Sequence, residues 1–121
     1  MREILFRGKT EQGKWLYGYL VKGNYNTGFG IIEDHIDTGL QYVEEETVGQ
    51  FTGLTDKNGK KIFEGDICKH RSSYSGEFII SVVTYSDGCF LAMADKNSGF
   101  NLSDKLEVIG NIHNNTELLG E

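Results

Sequence analysis

The stretch Thr47-Val48-Gly49-Gln50-Phe51-Thr52-Gly53-Leu54-Thr55-Asp56-Lys57-Asn58-Gly59-Lys60-Lys61-Ile62-Phe63-Glu64-Gly65-Asp66-Ile67-Cys68 decides the fold class. Runs rich in β-branched and aromatic residues flank Asn58-Gly59. Asn-Gly favours positive φ at both central positions of a type I′ turn, whose twist matches the strands it joins. The spacing predicts a β-hairpin with its tip at residues 57–60 and a further strand over Ile67–His70.

The same period-two logic extends in both directions. Upstream, Trp15, Tyr17, Tyr19 and Val21 alternate with Leu16, Gly18 and Leu20, so Lys14–Val21 is a strand and not a helix with one apolar stripe. The aromatic row, Trp15, Tyr17 and Tyr19, is the bulkier and is expected to face the core. Ile4–Arg7 forms a short strand that joins it through a turn at Glu11-Gln12-Gly13 as an antiparallel hairpin. Gly23–Gly30 reads as a loop, and Ile31, Ile32 and Ile36 as a strand ended by Asp37-Thr38-Gly39. Downstream, Tyr74-Ser75-Gly76 is a turn and Glu77–Ser86 a long strand, with Phe78, Ile80 and Val82 on one side and Ile79, Val83 and Tyr85 on the other. Apolar residues on both faces predict burial from both sides. Asp87-Gly88 is a second hairpin tip leading into Cys89–Ala94, Lys96–Gly99 a third turn, and Leu106–Ile112 the last strand. Asp34–Val43 and Leu102–Leu106 are alternatives for short helices, and Asn114–Gly120 has room for one helical turn, stopped by Gly120. Seven to nine short strands with Gly turns predict a mainly β fold, a small barrel or strongly bent sheet.

Composition agrees. The chain has 121 residues, 16 of them Gly and none Pro, with seven Phe, six Tyr and Trp15, which is the profile of one turn-rich β domain spanning residues 1–121. There is no Gly period, heptad, cysteine framework or long apolar run, so collagen, coiled coil, disulfide scaffold and membrane span are excluded. Met1–Phe6 reads as the start of a strand and not as a secretory leader. Cys68 and Cys89 are expected to be buried thiols and not a bridge, which places the protein in the cytoplasm. The net charge is −6, which opposes non-specific nucleic-acid binding. Residues 1–25 nevertheless carry five cations against Glu3 and Glu11, while residues 26–50 carry six acids and no Lys or Arg.

Five ordered motifs carry a resemblance. Phe6-Arg7-Gly8-Lys9 is followed by Trp15 with Gly18-Tyr19, then by Glu46-Thr47-Val48-Gly49-Gln50-Phe51-Thr52-Gly53-Leu54 with Asp56-Lys57-Asn58-Gly59. Ile62-Phe63-Glu64-Gly65-Asp66-Ile67 and Glu107-Val108-Ile109-Gly110-Asn111-Ile112 complete the set. Over roughly residues 4–119 the chain resembles the YopX family of phage and prophage proteins. The resemblance implies a mostly β, barrel-like domain encoded by phages or prophages of Gram-positive bacteria, and no particular biochemical activity. No motif of the family falls between residues 23 and 45 or between 70 and 100, and partner specificity is expected to reside there.

Candidate sites are weak beside their structural alternatives. Cys68 and His70 share a strand face as two metal ligands would, with His35, His113, Cys89 and Asp66 as further donors, but no ligand spacing supports a metal site and none is expected. Glu64-Gly65-Asp66 offers paired carboxylates, yet Gly65 permits a bend and Asp66 can accept backbone N–H bonds there. Glu44-Glu45-Glu46 reads as a solvated loop. There is no P-loop or nucleophile elbow, and no basic motif that would activate either Cys. No catalytic residue and no cofactor are expected. Arg7, Lys9 and Lys14, beside Trp15, Tyr17 and Tyr19, form the one candidate binding surface, of the kind that single-strand binders use.

The expected function is therefore non-enzymatic binding of another macromolecule, foremost a protein and copies of the chain itself, as closed rings or C2 dimers through unprotected strand edges. A nucleic-acid-binding barrel in phage DNA metabolism is the alternative, and an unrecognised hydrolase the third reading.

Overall fold

The computed structural model describes residues 3–23, 28–33 and 39–120, and the chain forms two compact units, Met1–Phe51 and Thr52–Glu121. In the first unit β1 (Phe6–Lys9), β2 (Trp15–Lys22), β3 (Phe29–Glu33), β4 (Leu40–Val43) and the start of β5 (Gly49–Thr55) form an antiparallel sheet in the order β4-β3-β2-β1-β5. The register sets Gly8 opposite Leu16, Leu20 opposite Ile31 and Phe29 opposite Val43. These residues share the inner face, where Leu16 and Ile31 are fully buried and Val43 nearly so, with Leu20, Phe29 and Val48 packed on them. Burying each such side chain contributes roughly 1.5–3 kcal/mol. The sheet curls tightly enough that a Cβ on Gly8 would lie 2.7 Å from Val43 Cγ2.

The curl does not close a barrel. Glu44 N–H donates to Lys9 C=O at 2.8 Å, linking the end of β4 to the end of β1. A 3-10 turn at Glu45–Thr47 then carries the chain away, so the ladder stops and the sheet stays open. The buried Thr47 hydroxyl fixes that turn by accepting Lys9 N–H at 2.8 Å and donating to Glu44 C=O at 2.6 Å.

The second unit contains the rest of β5 with β6 (Lys61–Phe63), and a sheet of β7 (Asp66–Arg71), β8 (Phe78–Ser86), β9 (Cys89–Asp95), β10 (Ser98–Asn101) and β11 (Glu107–Asn111) in the order β10-β9-β8-β7-β11. Its core is Ile62, Cys68, Val83, Ala92 and Leu106, flanked by Phe100, Leu102 and Val108. On β8 the buried residues Ser81 and Val83 share one face, Ile80 and Val82 on the other are only half-buried, and Phe78 and Tyr85 are more than half exposed, so the expected burial of both faces is corrected to burial of one.

Several local expectations are corrected. A hairpin tip does form at Asn58-Gly59, but only Gly59 has positive φ, at 81°. Asp56 N–H bonds to Lys60 C=O and Gly59 N–H to Asp56 C=O, giving a three-residue loop in which a left-handed Gly follows a tight turn. The cause is Asp56, whose Oδ1 accepts both Asn58 N–H and Lys60 N–H, at 2.8 and 2.9 Å. The two-residue tip with positive φ at both positions occurs instead at Asp87-Gly88, between the paired residues Ser86 and Cys89. Residues 40–43 of the helix alternative Asp34–Val43 are strand, and Leu102–Leu106 is a turn. The strand assigned to Ile36, and Asp37-Thr38 of the turn that ends it, lie outside the described residues. Cys68 is buried as expected, but Cys89 is exposed and both are free thiols. Asn114–Gly120 makes one 3-10 turn, Thr116–Leu119, ended by left-handed Gly120. Among the described residues no helix is long and apolar enough to cross a membrane.

Candidate functional site

Strand register assembles a surface on the outer face of the first sheet. Arg7 lies opposite Tyr17 and Lys9 opposite Trp15, Tyr19 opposite Ile32, Ile32 opposite Leu40, and Gly30 opposite Tyr42. Opposed residues share a face, so these side chains form one layer across β1 to β4. Tyr17, Tyr19, Ile32, Leu40 and Tyr42 are 38–57% exposed. Gly30 leaves room in this layer for Leu40, whose Cδ1 would stand 2.5 Å from any Cβ there.

The expectation that Trp15, Tyr17 and Tyr19 are core is therefore overturned for the two tyrosines, and Trp15 is only half-buried. Both faces of β2 are apolar, so alternation alone could not tell inside from outside. The deciding fact is steric: the inner face closes on Gly8, and at Gly18 a Cβ would clash with the carbonyl oxygen of Ile32. Such a space takes Leu16 and Ile31 but no row of aromatic rings.

The candidate cations separate. Arg7 is 5% exposed, and its guanidinium carbon stands 4.9 Å from the centre of the Trp15 ring. Lys9 is half-buried on the same face, and Lys14 is exposed at the end of the turn, where its N–H meets the Thr10 hydroxyl at 3.1 Å. A groove runs between Thr10–Gln12 and Gln41–Glu44, and the titratable side chains lining it are Glu11, Tyr42 and Glu44.

Cys68 and His70 do share a face of β7. His70 packs its ring edge-on against Phe100, 4.8 Å between centroids, and burial, with the charges of Asp66 and Asp56 adding to it, pushes the Cys68 thiol up to about 12. A thiol so shifted is neutral at neutral pH and a poor nucleophile. No group of three His, Cys, Asp or Glu among the described residues could hold a metal ion, and His35 lies outside them. Asp66, 1% exposed, accepts Phe63 N–H at 2.8 Å behind Gly65 at φ 94°, which is the structural role expected of it. Glu44, Glu45 and Glu46 are exposed.

In the sequence Asp56 stands out only as part of a family motif, with no role of its own. Its Oδ2 accepts Val108 N–H at 2.9 Å across 52 residues of chain, tying the hairpin tip to β11. Burial alone would raise its carboxyl, but the donors Val108, Lys60 and Asn58 outweigh that and hold it below the ordinary value.

The model of the family described as YopX protein matches residues 5–120. The chain belongs to the YopX family. It is also similar to the crystal structure of protein EF1440 from Enterococcus faecalis, with 28% identity over 98% of this chain and 99% of that one and a TM-score of 0.64. No curated protein matches it. In this YopX-family chain several of the motif residues serve the scaffold. Gly8 admits Val43, Asp56 ties the hairpin, Gly65 and Asp66 turn the chain into β7, and a Cβ on Gly110 would lie 2.6 Å from Asn115 Oδ1. Ile32, Leu40 and Tyr42 of the exposed layer come instead from residues 23–45, the stretch without a motif.

Proposed function

We propose that this YopX-family protein is a non-enzymatic phage or prophage accessory module of the bacterial cytoplasm, which binds another protein, copies of itself included, through the outer face of β2, β3 and β4. One observation carries the reading: five large apolar side chains, neighbours across three strands, stand 38–57% exposed. A contiguous exposed apolar layer marks an interaction surface, and tyrosine is enriched in such surfaces. Edge strand β4, Leu-Gln-Tyr-Val, borders it without the Pro or Lys that blunts a sheet edge. Light scattering on the purified protein tests this. The expected mass exceeds the 13.6 kDa of one chain and falls to it in Tyr19→Ser/Tyr42→Ser with the circular dichroism unchanged, whereas a monomer at every concentration argues against self-association.

The alternative on this same face is nucleic acid, favoured by the placement of Lys9 and Arg7 beside Trp15. It is the weaker reading, because Arg7 is too buried to meet a phosphate and most of the affinity of such binding comes from phosphate contacts.

A further inference from the structure

The second unit carries a run of cations that the reading above does not use. Residues 57–71 hold Lys57, Lys60, Lys61, Lys69 and Arg71 against Glu64 and Asp66, net +3, and Asp66 is held inside the unit at 1% exposure. On β7 and β8, Arg71 lies opposite Phe78 and Lys69 opposite Ile80, so Lys69, Arg71 and Phe78 share a face. Lys69 Nζ is 4.8 Å and Arg71 Cζ 4.6 Å from the Phe78 ring centre, and Phe78 is 55% exposed. Lys57 joins the same ridge: Glu107 Oε1 is 3.7 Å from Lys57 Nζ and 3.8 Å from Lys69 Nζ, one carboxylate serving two ammonium groups. Arg71 also donates to Gly76 C=O at 2.5 Å, at the base of a turn whose Tyr74 is fully exposed.

We propose that this ridge binds single-stranded nucleic acid, with Lys57, Lys69 and Arg71 on phosphates and Tyr74 and Phe78 stacking on bases. Interleaved cations and exposed rings are what such binding needs, because the charges track the backbone while any base can stack on a ring. An acidic protein surface would satisfy the cations too, but Phe78 at 4.8 and 4.6 Å from Lys69 and Arg71, with Tyr74 exposed on the adjoining turn, matches a strand that alternates phosphates with stackable bases. Charges beyond a Debye length of about 8 Å at physiological salt are largely screened, so the local balance outweighs the net −6 of the chain at contact range. Glu107 and the exposed Glu77 subtract from the attraction and leave the ridge, with the three cations Lys57, Lys69 and Arg71 against two acids, a balance of +1. The ridge lies in the other unit from the protein-contact face, and the two readings stand or fall separately.

Fluorescence anisotropy of a labelled oligothymidylate with the full chain tests this. Three phosphate contacts predict a log–log salt slope of about −2, or roughly 20-fold weaker binding between ~50 and ~200 mM salt. Lys69→Gln/Arg71→Gln should bring the slope to about −0.7, and Tyr74→Ala should weaken binding about tenfold with the slope unchanged. Tyr19→Ser/Tyr42→Ser should bind as the natural chain does, which separates this proposal from the protein-contact reading. No binding at low salt overturns it, and so does binding that survives Lys69→Gln/Arg71→Gln but is lost in Lys9→Ala. A mass above the monomer that Lys69→Gln/Arg71→Gln abolishes, with no binding of the oligonucleotide, would assign the ridge to an acidic protein partner and also overturn it.

Discussion

Replacing Asp56 with asparagine changes almost no volume and isolates one electrostatic function. In the native chain the carboxylate, 4% exposed, accepts Asn58 N–H and Lys60 N–H on Oδ1 and Val108 N–H on Oδ2, at 2.8, 2.9 and 2.9 Å. Asparagine keeps one acceptor, which can still serve the turn, but its amide NH2 must then face the Val108 N–H, donor against donor. Losing a bond to a charged acceptor costs about 1.5–3 kcal/mol, and an unmet buried donor costs a similar amount. The turn donors border solvent and can recover water, so the Val108 donor dominates and the expected loss is about 2–3 kcal/mol. The carboxyl is held below its ordinary value in the fold, so its contribution is complete above the unfolded value near pH 4 and is lost as pH falls through the folded one. Urea unfolding followed by circular dichroism should therefore show Asp56→Asn destabilised at neutral pH, with the gap to the natural chain closing in acid. A difference within about 0.5 kcal/mol at neutral pH, the range of an ordinary surface substitution, would refute the assignment.

Gly18→Ala should destabilise the first unit by about 3 kcal/mol, because the new Cβ meets the backbone of Ile32 and Glu33, which cannot rotate away; calorimetry showing an unchanged melting temperature would contradict this. Iodoacetamide at mildly alkaline pH should label Cys89 and leave Cys68 untouched until urea is added, since Cys68 is buried with its thiol pushed up to about 12, and mass spectrometry of the native adduct decides. Arg7→Ala uncovers a face of the Trp15 ring, so iodide should quench tryptophan fluorescence more strongly in the variant. Equal quenching in both proteins would show that the guanidinium does not shield the ring.

Much of the fold was legible because turns and alternation are written locally. Asn58-Gly59, Asp87-Gly88 and Tyr74-Ser75-Gly76 all mark real reversals, and the β1–β2, β7–β8 and β8–β9 hairpins join residues close in sequence. What escaped depends on distant partners. The loop at 56–60 takes its form from the Asp56 side chain, whose third partner, Val108, is 52 residues away. Strand β4 has four residues, too few to show a period, and its place beside β3 is what makes Leu40 and Tyr42 part of a surface. The inward face of β2 is set by the curl that brings Val43 onto Gly8, which no window along the chain contains. Arg7, Lys9 and Lys14 lie close together in sequence, yet parity puts Lys14 off the face and packing buries Arg7. Lys57, Lys69 and Arg71 converge only through the pairing of β7 with β8 and β11.

The central claim, that the outer face of β2, β3 and β4 is a contact surface between proteins, is tested most directly by dilution of the 15N-labelled chain followed by NMR. Concentration-dependent amide shifts clustered at Tyr17, Tyr19, Ile32, Leu40 and Tyr42, and abolished by Tyr19→Ser/Tyr42→Ser, are the predicted result. Spectra that do not change with concentration, or shifts confined to residues of the second unit, would contradict it.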